Sequence, residues 1–127
     1  MSSLRSPLGR VRGLGSAKEG VGHWWAQRVT AIALIPLSLW FVVSVLALAG
    51  KSYEESVSFF FAPHHAVPMV LLVVALFHHA QLGLQVVIED YVHQESAKIL
   101  LLLLVKGLAV LLGALAGFTV LKLAFGG

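Results

Sequence analysis

The sequence predicts an all-α membrane protein with three transmembrane helices, and three observations carry that prediction. Only 12% of the 127 residues are charged and 58% are hydrophobic, against about a quarter charged in ordinary soluble domains. Three long apolar runs, Val29 to Ala49, His65 to Ile88 and Ile99 to Leu121, account for the excess. Each is close to the ~20 residues that an α-helix needs to cross ~30 Å of hydrocarbon. The six acids stand apart from these runs, in the N-terminal arm, the loops and the polar end of the second run. The division that follows is an arm, 1–22, and an anchor domain, 23–127, with helices over about 27–49, 65–90 and 97–122.

The arm contains Gly9, Gly13, Gly15, Gly20, Gly22, Pro7 and scattered serines, a mixture that buries little apolar surface and is ordered only by partners. HWWAQR, residues 23–28, follows with two adjacent tryptophans at the mouth of the first helix, the level at which an indole finds both apolar and polar surroundings. The first apolar run is too long for a cleavable signal peptide, whose apolar core is typically ~7 to 15 residues. Arg5, Arg10, Arg12, Lys18 and Arg28 precede or open it against the single acid Glu19, which by the positive-inside rule puts the N-terminus in the cytoplasm. The 50–64 loop is then outside, the 89–97 loop inside, and the C-terminal tail outside. Pro36 removes one backbone hydrogen bond from the first helix and is expected to bend it.

Phe59-Phe60-Phe61 with Ala62 and Pro63 has the character of a short interfacial segment, and His64 and His65 are assigned to the water interface. The third run is almost pure Leu, Val, Ala and Gly, with Gly113 and Gly117 in a G-x-x-x-G spacing that lets another backbone approach. Its one charge, Lys106, lies eight residues past Lys98, or ~12 Å along the axis. Two roles fit it: snorkelling to the cytoplasmic interface, or pairing with a neighbour's acid.

The net charge of +3 suits topology and contact with anionic membrane lipid or an acidic partner. No basic patch is interleaved with exposed aromatics, so nucleic acid is excluded as a partner. The absence of cysteine rules out disulfides, iron–sulfur ligation and thiolate zinc sites in this chain. Any metal must be held by histidine or oxygen. Three such helices are also too few to enclose a polar path, which calls for a partner chain.

The chemistry is concentrated in HHAQLGLQVVIEDYVH, residues 78–93. His79 and Asp90 are eleven residues apart, which is three helical turns plus ~20°, so they share one face ~16 Å apart. Gly83 lies one turn beyond His79 on nearly the same face, where a missing side chain lets a flat group approach the backbone. A histidine midway along a spanning helix is costly in lipid. Two roles fit it: a haem ligand, or a structural histidine bonded across to another helix. His78, Gln81 and Gln85 form a second polar stripe about 100° or more away, suited to holding helices together. Spacing alone does not choose between His78 and His79. Glu89, Asp90, Tyr91 and His93 offer a hydrogen-bond donor and proton-carrying groups at the membrane surface, which quinone reduction requires and which a plain polar helix terminus also supplies.

These residues resemble a known family, the smaller haem b membrane anchor (D-type) of succinate dehydrogenase, respiratory complex II. His79-Ala80, Gly83 and Asp90-Tyr91-Val92 are similar to that family's central motif, and HWWAQRVTA, residues 23–31, to its N-terminal signature. The resemblance implies that His79 is an axial ligand of haem b, shared with a C-type cytochrome b anchor subunit whose helices complete a bundle with these three. It implies that Tyr91 donates a hydrogen bond to ubiquinone, that Asp90 shapes the site or relays protons, and that Arg28 reaches a haem propionate and the quinone pocket. His23 stands where some members carry an acid. A flavoprotein subunit and an iron–sulfur subunit are implied on the cytoplasmic side of a bacterial inner membrane, passing electrons from succinate to quinone. This chain would then be a subunit that is not catalytic on its own. Two other classes remain as alternatives: a haem-free structural anchor, and a small transporter or proton-handling subunit, for which an acid deep in a helix would be the mark.

Overall fold

The structure, a computed structural model, describes residues 17–126. Four helices follow one another, α1 (Ala17–Ala47), α2 (Tyr53–Phe60), α3 (Pro63–Tyr91) and α4 (Glu95–Ala124), with no strand among the described residues. The three long ones are each apolar enough to cross a membrane. They contain 31, 29 and 30 residues, about 45 Å each at 1.5 Å per residue, so their ends reach beyond a ~30 Å hydrocarbon layer.

That excess length explains how the helix limits differ from the apolar runs. α1 begins at Ala17 rather than near 27, and residues 17–22 of the expected arm are helical. Hydropathy marks where a helix is in lipid, whereas the backbone ladder continues until its donors and acceptors find other partners. Residues 1–16, the greater part of the arm, lie outside the described residues. α1 continues through Pro36 and α3 through Pro68, as spanning helices do when neighbouring groups satisfy the freed carbonyl.

The link between α1 and α3 contains a helix of its own. Ser52 caps α2 reciprocally: its Oγ accepts from the Glu55 N–H at 3.2 Å, and its own N–H donates to the Glu55 carboxylate at 2.9 Å. The interfacial phenylalanines then fold back, with the Phe60 ring 5.6 Å from Phe41 and 6.1 Å from Trp40. His65 is half-buried against Phe59, and its Nδ1 lies 2.7 Å from the Phe59 carbonyl oxygen, to which it donates. His64 is exposed.

α3 is the central helix and packs along both α1 and α4. It supplies Ala66, Leu72, Ala75, Leu82 and Ile88 to the buried set, while α1 adds Ser44 and α4 adds Val120. Among the described residues no large side chain is fully enclosed. Lipid tails are as apolar as leucine, so helices in a bilayer associate by close packing at small residues rather than by exclusion of water. Many large apolar side chains on all three helices stay exposed, Ile35, Leu46, Leu100 and Val110 among them, as expected for surfaces meeting lipid or partner helices.

Of the two glycines in the G-x-x-x-G spacing, one is used within this chain. A Cβ on Gly113 would stand 3.5 Å from Phe77 Cβ, an ordinary contact, whereas one on Gly117 would meet nothing within 4 Å. Gly113→Ala is therefore expected to be nearly neutral, and Gly113→Leu to force α4 away from Phe77 at about 1–3 kcal/mol. The check is the thermal midpoint of the detergent-solubilised protein, lowered by leucine and not by alanine. Equal effects would mean that Phe77 does not set the spacing of α3 and α4.

Candidate functional site

The site is built on α3. His79 lies sixteen residues past Pro63 and twelve before Tyr91, half-buried near the middle of the helix. Its Nδ1 is 3.0 Å from Thr30 Oγ1 on α1. The same hydroxyl oxygen is 2.7 Å from the Ala26 carbonyl oxygen and 3.1 Å from that of Gln27. A threonine within a helix commonly bonds the carbonyl one turn back, and here that bond fixes the hydroxyl where the imidazole meets it. The cross-helix role weighed for His79 is thus realised, but at one ring nitrogen only. Nε2 makes no hydrogen bond among the described residues. A Cβ built on Gly83 meets nothing within 4 Å, so the surface one turn beyond His79 is unobstructed.

Among the described residues no group of three or more His, Asp or Glu gathers as a set of metal ligands. One imidazole with a free nitrogen does not suit a bare ion, which needs several protein ligands. It is the donor set that an iron already held by a porphyrin would need from a single chain. The residues present therefore fit a haem.

Asp90 and Tyr91 close α3, both exposed, with Tyr91 at 77%. Arg28 is exposed on α1, its guanidinium 5.3 Å from the ring centre of Trp24, a cation–π contact between neighbours four residues apart on one helix face. The structure brings His79 onto the helix that carries Arg28, through Thr30, and leaves Asp90 and Tyr91 together at the end of α3. It forms no ion pair between Arg28 and Asp90; the ion pair among the described residues is Lys98 with Glu95, 4.0 Å apart at the start of α4.

Among the described residues the second polar stripe makes no hydrogen bond to another helix of this chain. His78, Gln81 and Gln85 line a cleft of about 680 Å³ with His23 of α1 and Lys106 of α4. Gln85 donates to Glu89 on its own helix at 3.0 Å. Lys106 is exposed beside this cleft, and His23 Nε2 is buried there without a hydrogen-bond partner. Reasoning from sequence missed both this grouping and Thr30. The one local signal for Thr30 is the RVTA stretch, where it stands two residues past Arg28.

A family model described as "Succinate dehydrogenase/Fumarate reductase transmembrane subunit" matches residues 2–117. The chain belongs to that family. A Rickettsia bellii succinate dehydrogenase hydrophobic membrane anchor subunit is 35% identical over 108 residues, covering 85% of this chain and 86% of the relative. The Paracoccus denitrificans hydrophobic membrane anchor subunit is 36% identical over 86 residues, 68% and 67% of the two chains. A succinate dehydrogenase membrane anchor subunit of Reclinomonas americana is 33% identical over 96 residues, 73% and 80%. No solved structure matches. The chain is thus a multi-pass membrane anchor subunit of the succinate dehydrogenase type. Its three long apolar helices enclose little core of their own among the described residues.

Proposed function

We propose that this anchor subunit supplies one axial ligand, His79, to a haem b shared with a C-type cytochrome b anchor subunit. We further propose that Tyr91, Asp90 and Arg28 are its part of a ubiquinone reduction site. The observation that carries the reading is the arrangement on α3: a mid-span imidazole engaged at Nδ1 alone, and an exposed acid–phenol pair at the helix end. Haem b, when bound, would supply a one-electron carrier within the membrane. Everything else falls to side chains.

The Tyr91 phenol donates a hydrogen bond to a quinone carbonyl oxygen, favouring the charge that develops there on reduction. Asp90 beside it holds protons at the aqueous rim and passes them inward. Arg28, about three turns into α1, brings a fixed positive charge suited to a haem propionate and to the edge of the quinone site. The excess of Lys and Arg at the start of the chain supports a cytoplasmic N-terminus, in what we take to be a bacterial inner membrane. That orientation puts Asp90 and Tyr91 on the side where an iron–sulfur subunit and a flavoprotein subunit would deliver electrons from succinate, and leaves the C-terminus periplasmic.

Purified with its partners, the complex is expected to reduce ubiquinone with succinate and to yield haem b on acid extraction. A complex with full quinone turnover and no extractable haem would contradict the haem assignment and leave the anchor role standing.

A further inference from the structure

The contact between Thr30 and His79 fixes where the protons lie. A threonine hydroxyl carries one proton and two acceptor lone pairs, and a carbonyl oxygen only accepts. Oγ1 sits 2.7 Å from the Ala26 carbonyl oxygen and 3.1 Å from that of Gln27. Were the hydroxyl proton turned toward the imidazole, both oxygen pairs would face each other with no hydrogen between them. The proton therefore goes to the carbonyls, with Ala26 the nearer. Oγ1 then meets Nδ1, 3.0 Å away, with a lone pair, and the bond must run from Nδ1–H to Oγ1. A neutral imidazole has a single N–H. With it on Nδ1, Nε2 is left as a bare lone pair.

We propose that Thr30 is a positioning residue for His79: its hydroxyl, locked by the Ala26 carbonyl, accepts Nδ1–H and so fixes the tautomer and ring orientation in which Nε2 is the haem ligand. The inference rests on the haem reading and extends it from the ligand to the residue behind the ligand. Two features of the sequence make threonine suitable. Its β-branched side chain is confined to few rotamers in a helix, and at position 30 its hydroxyl reaches the carbonyl of residue 26 one turn back. In a low-dielectric span the bond has no water to compete with it. An acceptor on the remote nitrogen also makes the ligating nitrogen more basic, which favours ferric over ferrous iron and holds the haem potential down.

The test compares Thr30→Val, which keeps the branched shape and removes the acceptor, with Thr30→Ser, which keeps the hydroxyl. Both are read in the purified complex by haem content, by potentiometric titration of the haem band and by the electron paramagnetic resonance of the oxidised haem. Valine is expected to weaken haem retention by about 10- to 100-fold, to move the midpoint potential upward and to shift the low-spin signal. Serine is expected to match wild type in all three. If the valine complex does not assemble, Thr30→Ala removes the same acceptor with less bulk and is read in its place.

A variant without the acceptor that keeps the wild-type potential and signal overturns the inference, whether its haem content falls or not, since a packing defect alone would lower occupancy without retuning the haem that remains. A His79→Ala complex that retains its haem band overturns the ligand reading itself, a different outcome from a tuned ligand that proves indifferent to Thr30.

Discussion

Tyr91→Phe is expected to lower succinate-to-quinone turnover of the purified complex by about 10- to 100-fold, the loss of one hydrogen bond to a charged or charging oxygen. Succinate oxidation by a soluble dye is expected to stay at the wild-type rate. The split follows from where the phenol is. Tyr91 is the last residue of α3 and 77% exposed, so removing its hydroxyl breaks no contact within this chain. An exposed substitution of this kind alters stability by no more than about 0.5 kcal/mol. The defect must then lie in what the hydroxyl meets outside the chain. Equal loss in both assays would instead place Tyr91 in assembly with the subunits that oxidise succinate.

His79→Ala is expected to abolish the b-type haem band. The substitution leaves the fold around it largely intact, because Thr30 keeps the Ala26 carbonyl as acceptor for its hydroxyl and loses only a donor to its oxygen. No buried donor is orphaned, and an unpaired acceptor lone pair is the milder defect. The space left by the ring is the size of the ring. Imidazole added during haem reconstitution is therefore expected to restore part of the band in His79→Ala, which a general failure of assembly would not allow. His78 is exposed, makes no hydrogen bond among the described residues and faces the cleft with Gln81 and Lys106. His78→Ala is expected to keep the haem.

How much of this was legible beforehand depends on which force writes each feature. The three spans are written in hydropathy, because a bilayer demands an unbroken apolar stretch, and α1, α3 and α4 coincide with the three apolar runs. Their ends are not so written. Ala17 to Arg28 is helical although glycine and charge are scattered through it, since a backbone outside the hydrocarbon obeys hydrogen bonding and not hydropathy. α2 was half legible. The phenylalanines announced an interfacial segment, and the Ser52 and Glu55 spacing that caps its helix stood in the sequence but carried no periodic signal to draw notice.

The site divides in the same way. The common face of His79 and Asp90 follows from helix arithmetic, and the choice of His79 over its neighbour followed from motif resemblance. Thr30 as the partner of His79 is a contact between residues 49 apart in sequence, set by how α1 lies on α3. Nothing local encodes it. The same holds for Gly113 and Gly117, equal in the motif and unequal in the fold, because only one of them faces Phe77. Lys106 came with two roles, snorkelling or pairing. It makes no ion pair among the described residues and borders a cleft with His23, His78 and Glu89, a grouping from three helices that no single segment foretells.

The central claim is that the imidazole of His79, rather than that of His78, meets the haem iron. The most direct measurement is the reduced-minus-oxidised spectrum of the purified complex carrying His79→Ala beside that carrying His78→Ala. The b-type band is predicted to vanish in the first and to persist in the second. A band that survives His79→Ala and disappears in His78→Ala would contradict the assignment and move the haem to the face of α3 that lines the cleft.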